Sequence, residues 1–267
     1  MNKNKITVGI PFYKKTTPDE LILSLNSILN QTLKPFEIHL IQDGAISSDL
    51  DGLIKNYLAK DNSIKHIKLD KTNLSTALNV SIKSAKTKYY ARMDSDDICM
   101  LHRLETQYSF LEENDSIDIL GSWAIEFDKD INNVNNFIKK LPNDYLKIIN
   151  LYHYRNPLIH PTVMFRREVF NIIGFYNESM SSDQDLELWG RAINANIRID
   201  NIQEPLLYHN IRYIHARRTQ LKSIQNQILA RRLVPANSFK LKILKVLAIC
   251  FRFMPIQIIK YSYRKLR

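Results

Sequence analysis

The chain has 267 residues, a mass of 31.3 kDa, 45% hydrophobic and 24% charged residues, proportions that exclude wholesale disorder and collagen-like structure. Two cysteines, Cys99 and Cys250, exclude a disulfide scaffold and suit a reducing compartment. The six glycines form neither G-x-G-x-x-G nor G-x-x-x-x-G-K-[ST], which leaves dinucleotide-fingerprint and P-loop readings without support.

The net charge of +11 is uneven. Glu204 is the last acidic residue, and fourteen Lys and Arg lie between Arg212 and Arg267. Removing those fourteen from 38 leaves 24 basic against 27 acidic residues, so a slightly acidic body carries a basic tail. Such a tail seeks a polyanion, either an anionic lipid surface or a nucleic acid.

The predicted elements alternate in the first half. Ile6–Pro11 reads as a buried strand, and Asp19–Gln31 as an amphipathic helix with Leu21, Leu25, Ile28 and Leu29 on one face. Glu37–Gln42 is a strand ending at Asp43-Gly44, Asp49–Lys60 a helix and Ile64–Leu69 a strand. Ser75–Lys86 is a helix and Tyr89–Met93 a strand ending at Asp94. This rhythm predicts a parallel sheet with helices on its faces and a ligand beyond the carboxyl ends of the strands, where Pro11, Asp43 and Asp94–Asp97 fall. The second half is less regular. It reads as a helix His102–Asn114, a strand Ile117–Gly121, an Asn-rich loop Asp128–Asn136, and a strand Thr162–Phe165. A short helix Glu168–Ile173 stops at Gly174. A further helix, capped by Ser182 or Asp183, runs to about Asn196, and a strand Ile197–Ile202 follows. The most apolar stretch, Ile243–Ile259, is broken by Lys245, Arg252 and Pro255. It is too short between charges to span a bilayer, and it suits a segment lying on a membrane surface. No apolar leader with a cleavage site follows Met1–Lys5, so no secretory leader is expected.

Three features carry chemistry. Asp94-Ser95-Asp96-Asp97 packs three carboxylates into four residues at a strand end, an arrangement that repels itself unless a cation neutralises it. Oxygen-only donors favour Mg²⁺ or Mn²⁺, with substrate phosphates completing the shell; a solvated acidic turn is the plainer alternative. Asp43-Gly44 offers a second strand-end carboxylate for a base N–H or a ribose hydroxyl, although Asp-Gly is also ordinary turn chemistry. In Ser181–Trp189, Asp185 falls in the first turn of a helix, where a carboxylate is well held for proton abstraction. The positive helix end lowers its pKa, so burial or neighbouring carboxylates must raise it for base work. His160, His209 and His215 are possible ligands with no pattern that singles one out.

Taken together these residues resemble glycosyltransferase family 2, the inverting GT-A-fold transferases, from about Ile6 to Tyr213. Ile10-Pro11-Phe12-Tyr13 resembles the family's nucleotide-side opening, and Ser27–Thr32 its S-[IL]-L-x-Q-T helix end. Gln42-Asp43-Gly44-Ala45 resembles D-D-G-S, Ala77-Leu78-Asn79 fits A-L-N, and Ala91–Asp97 with Arg103 fits the R-M-D-x-D-D metal motif. Asn156-Pro157, His160-Pro161-Thr162 and Gly174-Phe175-Tyr176 fit the acceptor half, and Gln184–Arg191 resembles E-D-Y-D-L-W-L-R. Gln42 replaces the first Asp of D-D-G-S, Asn73 replaces a frequent Gly, and Gln184 replaces the Glu beside the base. The processive signature Q-x-x-R-W is absent, which implies single addition.

The resemblance implies an α/β GT-A fold, Rossmann-like, with a mostly parallel central sheet and helices on both faces, plus a C-terminal basic helical extension. The organisation it implies is a transferase domain over 1–211, with a nucleotide-sugar half 1–100 and an acceptor half 101–211, and a basic amphipathic tail over 212–267. It implies Asp185 as catalytic base, nucleotide contacts from Pro11, Phe12, Tyr13, Asp43, Asp94 and Asp96, and Mn²⁺ or Mg²⁺ on Asp96 and Asp97. His160, Trp189 and Arg191 would lie on the acceptor side. The implied reaction moves a hexose from a UDP-sugar to a lipid-linked saccharide in bacterial surface polysaccharide synthesis (exopolysaccharide, capsule or O-antigen). The enzyme would be cytoplasmic and peripheral on the inner face of the cell membrane, its tail on anionic lipid, with no nucleic-acid partner. Two rivals stand beside it. A metal-dependent phosphohydrolase would use Asp94 as nucleophile and Asp96 as acid, but the motif follows the fourth strand rather than the first. A non-catalytic polyanion-binding protein leaves the acidic cluster unexplained.

Overall fold

The computed structural model describes residues 5–128, 130–131, 133, 136–212, 221–255 and 257–258; His215 and part of the Asn-rich loop lie outside them. In chain order the elements are β1 Ile6–Tyr13, α1 Pro18–Leu29, β2 Glu37–Asp43, α2 Ser48–Lys60, β3 Ile64–Leu69, α3 Leu74–Ser84, β4 Tyr89–Arg92, β5 Ile98–Cys99 and α4 Arg103–Glu113. There follow β6 Ile119–Phe127, β7 Phe137–Lys139, α5 Tyr145–Tyr152, β8 Met164–Arg166, α6 Val169–Ile173, α7 Gln184–Asn194, β9 Ile199–Asn210, α8 Leu221–Arg232 and α9 Phe239–Cys250. Short 3-10 turns cover His160–Thr162 and Phe251–Phe253.

One sheet runs in the order β3-β2-β1-β4-β8-β6-β9-β5, with β7 beside β6. The first four strands are parallel, as the alternation of strand and helix requires. Tyr13 pairs in register with Asp43, which in turn pairs with Leu69, so these strands end level with one another. β8 then runs antiparallel to both β4 and β6, while β6 and β9 are parallel. β5, directly after the acidic turn, runs antiparallel to β9.

Side chains alternate across the strands and give the sheet two apolar faces. Ile6, Val8 and Ile10 of β1 and Tyr89 and Ala91 of β4 meet Leu21, Leu25 and Ile28 of α1, Leu50 and Ile54 of α2, and Leu104 and Leu111 of α4. On the other face Tyr90, Ile119, Phe165 and Ile199 meet Leu78 and Ile82 of α3, Ile148 of α5, Leu186, Leu188 and Trp189 of α7 and Ala230 of α8. Local chemistry fixes the helix starts. Thr17 and Glu20 form a reciprocal capping box with Pro18 in the first turn of α1, and Ser47 caps α2. Asn73, where the family frequently has glycine, is extended (φ −149°) and caps α3 by accepting from the Thr76 amide.

Among its described residues, the basic segment contains two α-helices. α8 is packed against α7, and its buried residues are mostly polar: Ser223, Asn226, Gln227 and Arg231 beside Ile224 and Ala230. α9 buries none of its side chains. Among the described residues no helix is long and apolar enough to cross a membrane.

Candidate active site

The acidic turn is held by β1, α1, α4 and β9 and by Thr16 between β1 and α1. Met93 donates its amide to the Gly9 carbonyl (3.1 Å), and Ser24 of α1 donates to the Asp94 carbonyl (2.9 Å). Ser95 lies 3.1 Å, hydroxyl to hydroxyl, from Thr16. Arg103, fully buried at the start of α4, donates to the Arg92 carbonyl (2.8 Å) and to Gln107 Oε1 (3.1 Å). From β9 the Asn210 amide donates to Asp97 Oδ1 (2.7 Å). A backbone fixed in this way holds three carboxylates together before a ligand binds, which lowers the entropic cost of binding.

Their electrostatics are unfavourable without a cation. Burial, then the charges of Asp94 and Glu20, push Asp96 up to about 7. Burial and the charges of Asp94 and Asp96 push Asp97 up as well. The Oδ2 atom of Asp97 is enclosed and has no protein hydrogen-bond partner. Among the described residues no three His, Cys, Asp or Glu side chains converge on a ready-made metal cage. The donor set fits a hard divalent cation bound by few protein oxygens: the carboxylates are crowded, all-oxygen, and include a buried oxygen left unpartnered. His209, on β9 beside Asn210, is buried with its Nδ1 4.0 Å from Glu126.

Arg92 joins this turn to the second half of the site. It is 3% exposed and pairs with Asp94. Its positive charge lowers the pKa of Asp96, Asp97 and Asp185 and, with burial, holds His160 below the usual imidazole range. One guanidinium therefore lies within electrostatic reach of both the acidic turn and the candidate base.

Asp185 is in the first turn of α7, partly exposed, and accepts a hydrogen bond from Asn156 Nδ2 (2.5 Å). Its pKa is raised, first by dense surroundings and second by the charge of Asp183, against the lowering effect of the Leu186 amide, Asn156 and Arg92. Both sources of upward shift that the sequence argument required are present. Asp183 starts the helix in a left-handed conformation (φ 57°), and its side chain does not cap α7; neither does that of Ser182.

At the end of β2, Asp43 Oδ1 accepts from the Thr72 amide (2.5 Å) and hydroxyl (3.0 Å). Gln42 donates to the Gly44 carbonyl (2.8 Å) and lies 2.9 Å from His66 Nε2, so the residue in place of the family's first Asp braces the turn. Gly44 takes φ +81°, which fits glycine at this turn. A cleft of about 440 Å³ beside Asp43 is lined by Gln42, Gly44, Lys68, Leu69 and Lys71, among others. Tyr13 is half-buried at the end of β1, whereas Pro11 and Phe12 are buried, the Phe12 ring lying 6.0 Å from His66.

The three expected acceptor-side residues are placed behind the surface or are already engaged. Trp189 is fully enclosed, stacked on Phe165 (5.9 Å) and edge-on to His160 (6.0 Å). His160 is buried, its Nε2 2.8 Å from the Tyr176 hydroxyl. Arg191 pairs with Glu187 through two 2.9 Å contacts and donates to the carbonyls of Ile173 and Phe175. Their contacts are those of supports for α7 and the Gly174 turn. Sequence reasoning passed over Asn156 and Arg92 as site residues. Both lie in motifs already quoted, but only the fold brings Asn156 to Asp185.

Known proteins identify the family. Residues 7–174 match the family model for Glycosyl transferase family 2. The chain is 36% identical over 206 residues to the O-antigen biosynthesis glycosyltransferase WbnJ of Escherichia coli, covering 76% of this chain and 77% of that protein. It is 32% identical over 205 residues to the E. coli UDP-Gal:alpha-D-GlcNAc-diphosphoundecaprenol beta-1,3-galactosyltransferase, covering 76% and 73%. In fold it is similar to S. aureus TarS 1–349 in complex with UDP-GlcNAc (TM-score 0.67, 19% identity, 93% of this chain and 72% of that one). The strand-end acidic turn, the helix-borne Asp185 and these matches lead to one conclusion: the chain belongs to glycosyltransferase family 2 and has the GT-A fold.

Proposed function

We propose that this glycosyltransferase moves a hexose from a UDP-sugar to a lipid-diphosphate-linked saccharide, with inversion, in the synthesis of a bacterial surface polysaccharide. The names of the E. coli relatives support the substrate classes, and the UDP-GlcNAc complex of the TarS neighbour supports the donor. The observation that carries the reading is the crowded acidic turn at the strand end, with an enclosed Asp97 oxygen left without a protein partner.

In this reading the donor lies across the strand ends, with the base near Tyr13 and Asp43 and the ribose near Asp94. Asp96 and Asp97 would hold Mg²⁺ or Mn²⁺, which supplies positive charge to a departing diphosphate. Asp185 accepts the proton of the acceptor hydroxyl as that oxygen bonds to the anomeric carbon and the bond from that carbon to the diphosphate oxygen breaks. Asn156 orients the Asp185 carboxylate toward the acceptor. The phosphohydrolase alternative is not favoured: its nucleophile, Asp94, is paired with Arg92, and the family match is to transferases.

Membrane attachment fits α9 and the turn after it. Phe239, Val246, Leu247 and Phe253 are each more than half exposed, beside Lys240 and Lys242. Apolar groups would enter the headgroup boundary while the lysines meet anionic lipid, placing the enzyme on the cytoplasmic face of the membrane. The reaction is tested with labelled UDP-hexoses and undecaprenyl-diphosphate-linked sugar acceptors. The expected product carries the opposite anomeric configuration from the donor, read by NMR. A product of retained configuration overturns the single-displacement reading.

A further inference from the structure

The C-terminal segment reaches the catalytic helix through one carboxylate. Asp183 Oδ2 accepts from Ser223 Oγ of α8 (2.7 Å), and Oδ1 accepts from Gln227 Nε2 of α8 (2.5 Å). Arg252, in the turn after α9, lies 3.4 Å from the same Oδ1 and also donates to Ser223 Oγ (3.0 Å). Asn226 Nδ2 donates to the neighbouring Ser182 carbonyl (3.0 Å). An aspartate just before a helix ordinarily turns its side chain back to cap the helix. Asp183 does not. It takes a left-handed backbone conformation, uncommon for a residue with a Cβ, and its carboxylate faces α8 and Arg252. Such a conformation persists where surrounding contacts over-determine it. Here those contacts come from residues 40 to 69 positions later in the chain, and Asp185 follows two residues on.

We infer that Arg252 is a positioning residue of the active site: by pairing with Asp183 it fixes the start of α7 and the setting of the Asp185 carboxylate, which makes the C-terminal segment part of the catalytic support. The inference rests on Asp185 as the base. Arg252 acts on Asp185 through space and through Asp183. The groups facing Asp185 are Asp183 at the start of α7, Asn156 after α5, Arg92 of β4, Tyr176 after α6, and Arg252. Asp183 makes Asp185 harder to ionise, while Arg92 and Arg252 make it easier. With Arg252 removed, only Arg92 offsets the charge of Asp183 at Asp185. With Asp183 also removed, most of that effect disappears.

The test needs no substrate. The Asp185 carboxyl of the full chain is titrated by NMR with ¹³C-labelled aspartate, its resonance assigned by its loss in Asp185→Asn. Arg252→Gln is expected to move the titration to higher pH and Asp183→Asn to move it to lower pH. Arg252→Lys keeps it close to the parent, and the double variant falls between the two single ones. In transfer assays with UDP-hexose and lipid-linked acceptor, Arg252→Gln lowers kcat/KM roughly tenfold, and the acidic limb of its pH profile moves upward. A loss of activity equal at all pH values, with the Asp185 titration unmoved, reduces Arg252 to an anchor and overturns the inference. If Asp185→Asn keeps full transfer, the base reading fails by itself, and the link from the tail to Asp185 is still decided by the titration.

Discussion

As the proposed base, Asp185 is subject to opposing influences. Dense surroundings and Asp183 raise its pKa; the Leu186 amide, Asn156 and Arg92 lower it. Asp185→Asn is expected to lower kcat by roughly 10²–10⁴ while UDP affinity, measured by calorimetry, stays unchanged. The same raised pKa has a consequence for stability. The unfolded carboxyl ionises near pH 4 and the folded one higher, so the folded state loses stability as pH rises through that window. Asp185→Asn should therefore melt at a higher temperature than the parent at pH 8, with the advantage gone below about pH 4. Thermal unfolding across that range checks it; an advantage that grows on acidification contradicts it. At this scale the candidate site was largely legible in the sequence, because Asp43, the Asp94–Asp97 turn and Asp185 each sit at the end or the start of a recognisable element. What it hid were partnerships between distant residues. Asn156 meets Asp185 across 29 positions and Arg252 meets Asp183 across 69, and no local pattern encodes either. Trp189, placed on the acceptor side by the resemblance, is fully enclosed and serves the core, as its helical spacing one turn after Asp185 indicates.

Elements with strong periodicity were readable to within a residue or two, and those without it were not. β3 spans Ile64–Leu69 as expected, and α2 starts one residue early because Ser47 caps it. β9 extends to Asn210, well past the expected Ile202, since Gln203-Glu204-Pro205 interrupts its apolar pattern while β6 still pairs through two register shifts. α5, with eight residues, is shorter than the window in which a helical period declares itself. α8 buries chiefly polar side chains against α7 and the C-terminus of α5, so it carries no apolar stripe to read. Tyr152 donates its hydroxyl to the Ala230 carbonyl, and Arg231 donates to the Tyr152 carbonyl. Gly190 on α7 makes this junction possible, because a Cβ there would overlap the Tyr152 hydroxyl. Gly190→Ala is expected to cost about 1–3 kcal/mol in urea unfolding, the usual penalty for overpacking. A neutral or stabilising effect would mean that α5, α7 and α8 are not tightly joined.

For the whole molecule, charge and topology divide the work. The parallel strands β3, β2 and β1 end level with one another, β4 ends earlier, at Arg92 opposite Gly9, and leads into the acidic turn, and β9 reaches across to fix that turn. The basic C-terminal segment contributes a packed helix beside Asp183 and an exposed apolar helix beyond it. Cosedimentation with phosphatidylglycerol vesicles should be strong at low salt and weaken as salt is added. The double variant Phe239→Ser with Leu247→Ser should lose most of it, whereas equal binding to neutral vesicles would remove the electrostatic part of the account. The central claim concerns the acidic turn, and calorimetric titration of UDP tests it most directly, with and without Mn²⁺, on the parent protein and on Asp96→Ala combined with Asp97→Ala. The account predicts UDP binding that depends on Mn²⁺ and disappears in the double variant. UDP binding of equal strength with and without the metal, and preserved in the double variant, would contradict it.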